Sequence, residues 1–224
     1  MGTSSATKTA RSSPTTLTAR DRELLAALTI AVRAFTVAQV ANTWWPTGTI
    51  PTANTRLKQL ERAGYVALAR PAVGALLPLS TPLAVWRPGC SMPDVISLAA
   101  HARARWRRPP EAPLCVAATV RTATMLGGRG GRLPRPGEWT HDLHLAAVYL
   151  HLRVLNPRRA ATWRHEDLAD HTIAVRTGRK LPDALVYDAG HPTAIELVGA
   201  SYTAEKLRAF HAHCAAHGLG YELW

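Results

Sequence analysis

The sequence predicts an α+β protein in which a small, mainly helical N-terminal domain precedes an α/β domain. Apolar residues before residue 90 recur mostly at helical spacing, and after residue 138 helical segments alternate with short apolar runs typical of strands. The charge is also uneven. Residues 1–110 contain 14 Lys+Arg and 4 Asp+Glu, a net +10, whereas residues 111–224 contain 13 and 11, a net +2. This favours a polyanion-binding module in the first half, although a GC-rich coding background also produces arginine-rich surfaces.

Residues 1–16 are rich in Ser and Thr and contain Lys8 and Arg11. They lack the apolar segment of a secretory signal, so we predict a disordered basic tail. No stretch approaches the roughly 18 apolar residues of a membrane span. The three cysteines are far apart and form no Cys-x-x-Cys motif, which predicts free thiols in a cytoplasmic protein, with no zinc site.

The ordered part begins with a predicted helix over about residues 19–32. Thr18 precedes its apolar run and Asp21 follows three residues later, a pattern typical of a capped helix start. A second short helix is predicted in FTVAQVANTWW, with Thr36 as its N-cap. The Pro and Gly that follow are expected to end it.

The segment PTANTRLKQLERAGYV gives the strongest local signal, which predicts a third helix. Pro51 suits the first turn, Leu57 and Leu60 mark a core face, and Gly64 suits the residue after the end.

A two-stranded hairpin is predicted to follow the third helix. Residues 65–69 form its first strand, and residues 82–86 form its partner across a loop. Three short helices followed by such a hairpin is the winged-helix arrangement. Residues 17–90 are therefore predicted to form a winged helix-turn-helix domain.

The third helix carries the candidate DNA contacts of this domain. In helix-turn-helix proteins the later helix enters the major groove, and here its outward side chains are types that meet base edges and phosphates. These residues are Asn54, Thr55, Lys58, Gln59 and Arg62. The alternative is a winged helix that serves protein contacts or packing.

Residues 91–112 are predicted to form a basic helix and linker. Arginines crowd the end of this helix, beside a tryptophan, and such a cluster could grip phosphates or stack on a base. It adds Arg105, Arg107 and Arg108 to the candidate DNA contacts. The same cluster could equally be a solvated linker.

Residues 113–224 are predicted to form the α/β domain. After residue 138 the order is helix, strand, hairpin, helix, strand. The predicted segments are about 140–155, 161–166, 182–188 with 192–199, SYTAEKLRAFHAHCAAHG, and GLGYELW.

This order, with a Pro-Asp pair opening the hairpin, resembles the PD-(D/E)XK nuclease superfamily of restriction-endonuclease-like folds. The resemblance implies that Asp183 and Glu196 hold a divalent metal, Mg²⁺ if the domain is catalytic, because Mg²⁺ prefers oxygen ligands. The usual Lys after the second acid is replaced by Val198. Lys206, on the following helix, could supply the positive charge of the missing Lys, and Glu166 could supply a further carboxylate. Otherwise Asp183 begins a turn and Glu196 forms a surface ion pair.

Six segments suggest a more specific resemblance: LTARDRELLAAL, FTVAQVA, RLKQLERAGYV, WTHDL, KLPDALV and IELVGASYTAEKL. In combination they resemble the replication-relaxation family of mobile-element and plasmid proteins and, more loosely, AbiEi-type antitoxin regulators. The resemblance implies a winged helix fused to a nuclease-like domain. It also implies a role in replication, mobilisation, transposition or regulation of a mobile element, with duplex DNA as the partner.

Three functional hypotheses follow. In the first, the chain binds DNA and its nuclease-like domain has lost its chemistry, supplying structure, a partner surface or the contacts of a homodimer, with no cofactor. In the second, the chain is a Mg²⁺-dependent DNA endonuclease in which Asp183, Glu196 and Lys206 are catalytic. In the third, it is a subunit of a larger nucleic-acid-processing complex, such as a recombination or defence complex.

Overall fold

A computed structural model of the chain describes residues 15–106, 109–128, 130–166, 181–188 and 190–224. Helices and strands are mixed throughout these residues, which confirms the predicted α+β class. Most of the predicted basic tail lies outside the described residues, as do Arg107 and Arg108. No helix within the described ranges has both the length and the apolar composition needed to cross a membrane.

The described residues of the first half form four helices and six strands. Their bounds are α1 Ala19–Ala26 (continued by a π-helical turn, Ala27–Ala31), β1 Ala34–Thr36, α2 Val37–Trp44, α3 Ile50–Arg62, β2 Val66–Ala69, β3 Val73–Gly74, β4 Ala84–Trp86, α4 Val95–Arg105, β5 Pro110–Glu111 and β6 Cys115–Ala118. The described residues that follow form α5 Val120–Met125, α6 Trp139–Leu155, α7 Pro157–Ala160, β7 Arg164–His165, β8 Ala184–Asp188, β9 His191–Glu196, α8 Ala204–Ala216 and β10 Gly220–Leu223.

Thr18 and Thr36 cap the starts of α1 and α2, as the sequence predicts, and the structure shows that each cap forms a capping box. The side chains of Thr18 and Thr36 each accept a hydrogen bond from the backbone three residues on. Asp21 and Gln39 accept in return from the two cap N–H groups. Backbone donors that a helix start leaves unpaired are thereby satisfied. The predicted end of α3 is also confirmed, because Gly64 follows it with φ +78°.

The first sheet has the strand order β1-β6-β2 and is antiparallel throughout. The predicted hairpin partner of β2 is therefore wrong, because β6 takes that place and β4 pairs with β10 instead. Burial explains why β6, and not β4, pairs with β2. All four residues of β6 are buried, as a central strand requires, whereas β4 alternates between the exposed Val85 and the buried Trp86. Trp86 stacks on Tyr221 of β10, with ring centroids 5.3 Å apart.

The chain between β2 and β6 is shared between two parts of the fold. It leaves the first sheet and adds β4 to the edge of a second sheet. It then forms α4, which packs with α8, and returns through β5, which pairs with β3. The predicted boundaries at residues 90 and 112 therefore do not separate the two sheets.

The second sheet has the order β4-β10-β9-β8-β7, in which only β9 and β10 are parallel. In the described residues the predicted succession of helix, strand, hairpin, helix and strand is found as α6, β7, β8–β9, α8 and β10, with an additional short helix, α7, between α6 and β7. Alternate residues of β9 face opposite sides. Ala194 packs in the cluster that includes α4 and α8, and Ile195 packs in the cluster that includes α6 and the N-terminal helices. The sheet therefore lies between two helical layers, and one of these layers also meets α1–α3.

The helix α6 connects the two parts of the molecule. Gln39 of α2 donates to the backbone carbonyl of Leu143 at 3.1 Å. Farther along the helix, Arg153 pairs with Glu23 and lies over the ring of Trp44. All three cysteines are free, as predicted.

Candidate nucleic-acid interface and acidic cluster

The outward face of α3 carries the predicted DNA contacts. Ala53, Leu57 and Leu60 are fully buried, which fixes the rotation of the helix against the core. The opposite side is exposed at four of the five predicted positions: Thr55, Lys58, Gln59 and Arg62. The fifth, Asn54, is half-buried. The exposed four recur at intervals of three and four residues and so form a single stripe along the helix.

A hydrogen-bond chain anchors this stripe to α1. Asp21 is buried, and its carboxylate accepts from Arg56 Nε at 3.1 Å and from Arg56 Nη2 at 2.6 Å. Burial alone would raise the pKa of Asp21, but the hydrogen bonds from Arg56 and Thr18 hold it below its usual value. Arg56 Nη1 in turn donates to Gln59 Oε1 at 2.9 Å. One surface side chain of α3 is thereby fixed in orientation.

The predicted contact Arg105 has a different environment. Its side chain is half-buried, and Nη2 donates to the carbonyl oxygen of Val198 at 3.3 Å. The indole of Trp106 donates to the same oxygen at 2.9 Å, and its ring lies 4.5 Å from that of His144. Burial lowers the pKa of Arg105. Arg105 therefore attaches α4 to the end of β9, rather than standing exposed as a phosphate contact would.

Asp183 and Glu196 come together, as the nuclease resemblance implies. Asp183 directly precedes β8 and Glu196 ends β9, so antiparallel pairing of the two strands makes them neighbours. The N–H of Asp183 donates to Glu196 Oε2 at 3.3 Å, and the N–H of Leu197 donates to Asp183 Oδ2 at 2.7 Å. Both carboxylates are buried. A surface ion pair at Glu196, the alternative considered from the sequence, is therefore wrong.

His141, on the first turn of α6, completes the cluster. Its Nε2 lies 3.1 Å from Asp183 Oδ2 and its Nδ1 lies 3.4 Å from Asp142 Oδ1. Burial would lower the pKa of His141, but the two carboxylates outweigh it and raise the pKa to about 10. The ring is thus an imidazolium at neutral pH. Arg33 brings a second cation, 3.3 Å from Asp142 and 3.6 Å from Glu166.

Lys206 lies on the same side of the sheet as Glu196. The two residues line one cavity of about 830 Å³ along α8, together with Tyr202. The hydroxyl of Tyr202 donates to Glu196 Oε1. Lys206 Nζ donates to the carbonyl oxygen of Ser201 at 3.3 Å and lies 5.8 Å from the centre of the Tyr202 ring. Tyr202 therefore contacts both the lysine and the carboxylate.

Protein donors engage three of the four carboxylate oxygens that Asp183 and Glu196 would offer to Mg²⁺. Carboxylate oxygens suit that ion, but Asp183 Oδ2 already accepts from a backbone N–H and faces the His141 cation. Both oxygens of Glu196 likewise accept from protein donors. In the ranges that the structure describes, no three His, Cys, Asp or Glu side chains are grouped to hold a metal ion.

Sequence reasoning missed four members of these sites: Arg33, Arg56, His141 and Asp142. A signal for two of them existed, because the WTHDL segment places an adjacent His and Asp on the first turn of a helix. Arg33 and Arg56 have no such signal, since their partners lie far away in the chain.

Comparison with known proteins adds no relative. No family model, no curated protein and no solved structure matches this chain. The resemblance to the replication-relaxation family therefore stays a prediction.

Proposed function

We propose that the chain binds duplex DNA through a winged helix in which α3 enters the major groove. The observation that carries this proposal is the exposed polar stripe on α3, at Thr55, Lys58, Gln59 and Arg62, opposite a face that is fully buried. The succession α1-β1-α2-α3-β2 and the strand order β1-β6-β2 support it, although β3, β4, α4 and β5 lie between β2 and β6 in the chain. We interpret this part as a winged helix, a class in which a later helix enters the major groove and contacts the bases.

Electrostatics supports the same partner. Residues 1–110 carry a net charge of +10, so a polyanion is attracted to this half of the chain. Two cations, Lys58 and Arg62, lie on the stripe itself and suit phosphates or guanine edges. The hydroxyl of Thr55 donates to the carbonyl oxygen of Pro51 and can still accept a hydrogen bond from a base edge.

The C-terminal part is proposed to be a nuclease-like domain that has lost its chemistry. Its order of elements and its Asp183–Glu196 pair support the fold, whereas the use of that pair by protein donors argues against catalysis. In this proposal the acidic cluster holds α6 to the hairpin β8–β9. The whole chain would then be a DNA-binding protein of a mobile element, and it would act alone or as a subunit of a larger nucleic-acid-processing complex.

The test of DNA binding removes the two cations of the stripe. Lys58→Ala/Arg62→Ala is expected to weaken binding to a labelled duplex by at least about tenfold at 0.1 M salt, measured by fluorescence anisotropy. Arg158→Ala/Arg208→Ala is the matched control, because it removes two exposed arginines from α7 and α8. Equal losses in both double variants would contradict docking through α3. Binding that occurs only with an added partner protein would favour the complex-subunit hypothesis.

A second candidate function is metal-dependent DNA cleavage. It is favoured by the convergence of Asp183 and Glu196 and by the cavity that Glu196 shares with Lys206. Supercoiled plasmid is incubated with the protein and Mg²⁺ or Mn²⁺, beside Asp183→Ala and Glu196→Ala. We expect no nicking by any of the three proteins. Nicking by the wild type that both substitutions abolish would instead establish an endonuclease.

A further inference from the structure

A cavity of about 480 Å³ lies between the start of α1 and the exposed side of α3. Its lining combines one aromatic ring with polar and charged side chains from both helices. These residues are Thr18, Arg20, Asp21, Trp45, Thr52, Thr55, Arg56 and Gln59. Thr55 and Gln59 also belong to the stripe proposed to meet DNA, so the cavity flanks that stripe.

The cavity has a net positive charge. Among these lining residues Asp21 is the only one with a carboxylate. The two hydrogen bonds from Arg56 neutralise the charge of that carboxylate. Asp21 Oδ2 also accepts from the backbone and hydroxyl of Thr18, each at 2.8 Å. Among the lining residues, this leaves Arg20 with no carboxylate to balance its charge. The guanidinium of Arg20 is held at the cavity by the Trp45 ring, 4.8 Å from its centre.

Gln59 presents a donor to the same cavity. The atom of its amide that meets Arg56 must be the oxygen, because a guanidinium carries only donors. The NH₂ group is therefore the end of the amide that is left for a ligand. Arg56 is itself fixed by Asp21, so the orientation of Gln59 is set before any ligand arrives.

We propose that this cavity binds one phosphate group of the DNA backbone, which rests on the DNA binding proposed above. A guanidinium and an amide NH₂ that line one cavity beside a neutralised carboxylate suit an anionic ligand made of acceptors, and a phosphodiester is such a ligand. Its position beside the stripe on α3 gives the contact a role. A phosphate held there fixes how far α3 enters the groove and at which register.

The test compares two neighbouring arginines of α1. Arg20 lines the cavity, whereas Arg22 is equally exposed and does not line it. The dissociation constant for a mixed-sequence duplex is measured by fluorescence anisotropy at a series of salt concentrations. Arg20→Ala is expected to weaken binding about tenfold and to lower the slope of log Kd against log salt by about one. Arg22→Ala is expected to lower the slope by less than about half as much.

A second variant checks the role of the amide. Gln59→Glu keeps the size of the side chain and can still accept from Arg56, but it places a negative charge beside the phosphate. It is expected to weaken binding at least as much as Arg20→Ala while leaving the thermal unfolding temperature unchanged or raised.

The outcomes separate this inference from the function on which it rests. Equal salt slopes for Arg20→Ala and Arg22→Ala, with Lys58→Ala/Arg62→Ala still impaired, would overturn the phosphate site and leave DNA binding intact. A wild-type protein that binds no duplex at any salt concentration would overturn both.

Discussion

Two histidines on one turn of α6 have opposite protonation states. His141 lies between two carboxylates, which raise its pKa to about 10. His144 is buried, and its Nε2 accepts from the N–H of Leu77 at 3.0 Å while Nδ1 donates to the carbonyl oxygen of Thr140 at 2.6 Å. Burial lowers the pKa of His144 to about 4, so this ring is neutral.

The neutral His144 predicts a loss of stability in mild acid. The unfolded chain protonates this histidine near its ordinary pKa of 6.5, whereas the folded chain does so only near 4. Stability from His144 is therefore present above the unfolded value and is lost as the pH falls between these two values. By linkage, the loss between pH 7 and pH 5 is about 2 kcal/mol. His141 acts in the opposite direction, because its raised pKa gives stability that is full below 6.5 and is lost as the pH rises towards 10.

The measurement is the free energy of urea unfolding at pH 7 and pH 5. His144→Gln is expected to reduce the acid loss relative to the wild type by about 2 kcal/mol. His101→Gln is the control, because it makes the same substitution at an exposed histidine of α4. An unchanged loss in His144→Gln would mean that this ring is not buried in its neutral form.

At the scale of elements, β6 is the strand on which the N-terminal part depends. It pairs with β1 on one side and β2 on the other, and Val116 at its centre is fully buried. Thr119, just beyond its end, donates to the carbonyl oxygen of Gly64 at 2.8 Å and so ties the strand to the end of α3. The free energy of unfolding should therefore fall when a side chain of this enclosed strand loses volume.

We therefore predict different costs for the same change in two strands. Val116→Ala is expected to lower the free energy of unfolding by about 2 kcal/mol, because it leaves a cavity in the core. Val85→Ala, on the strand that the sequence predicts as the partner of β2, is expected to cost less than about 0.5 kcal/mol, since Val85 is 51% exposed. Thermal or urea unfolding of the two variants measures this, and the reverse order would contradict the observed pairing.

At the scale of the whole molecule, the sequence predicts the features that depend on neighbouring residues, but it does not predict which distant strands pair. The caps Thr18 and Thr36, the core face of α3 and the hairpin β8–β9 depend on residues a few positions apart, and the sequence predicts them. The partner of β2 depends on which distant strand can be buried on both faces. The same holds for the acidic cluster: Asp183 and Glu196 were predicted as a pair, but His141 joins them only through the packing of α6.

The path of the chain between β2 and β6 has a consequence for how this protein can be dissected. A fragment that stops at residue 90 would contain every predicted DNA contact of α3, yet it would lack the central strand of its own sheet. It would also retain β4, an edge strand separated from β10. Such a fragment is expected to misfold or aggregate. A truncated allele that fails to bind DNA would therefore report a broken fold, and exchange of modules with other proteins must keep β6 together with α1–α3.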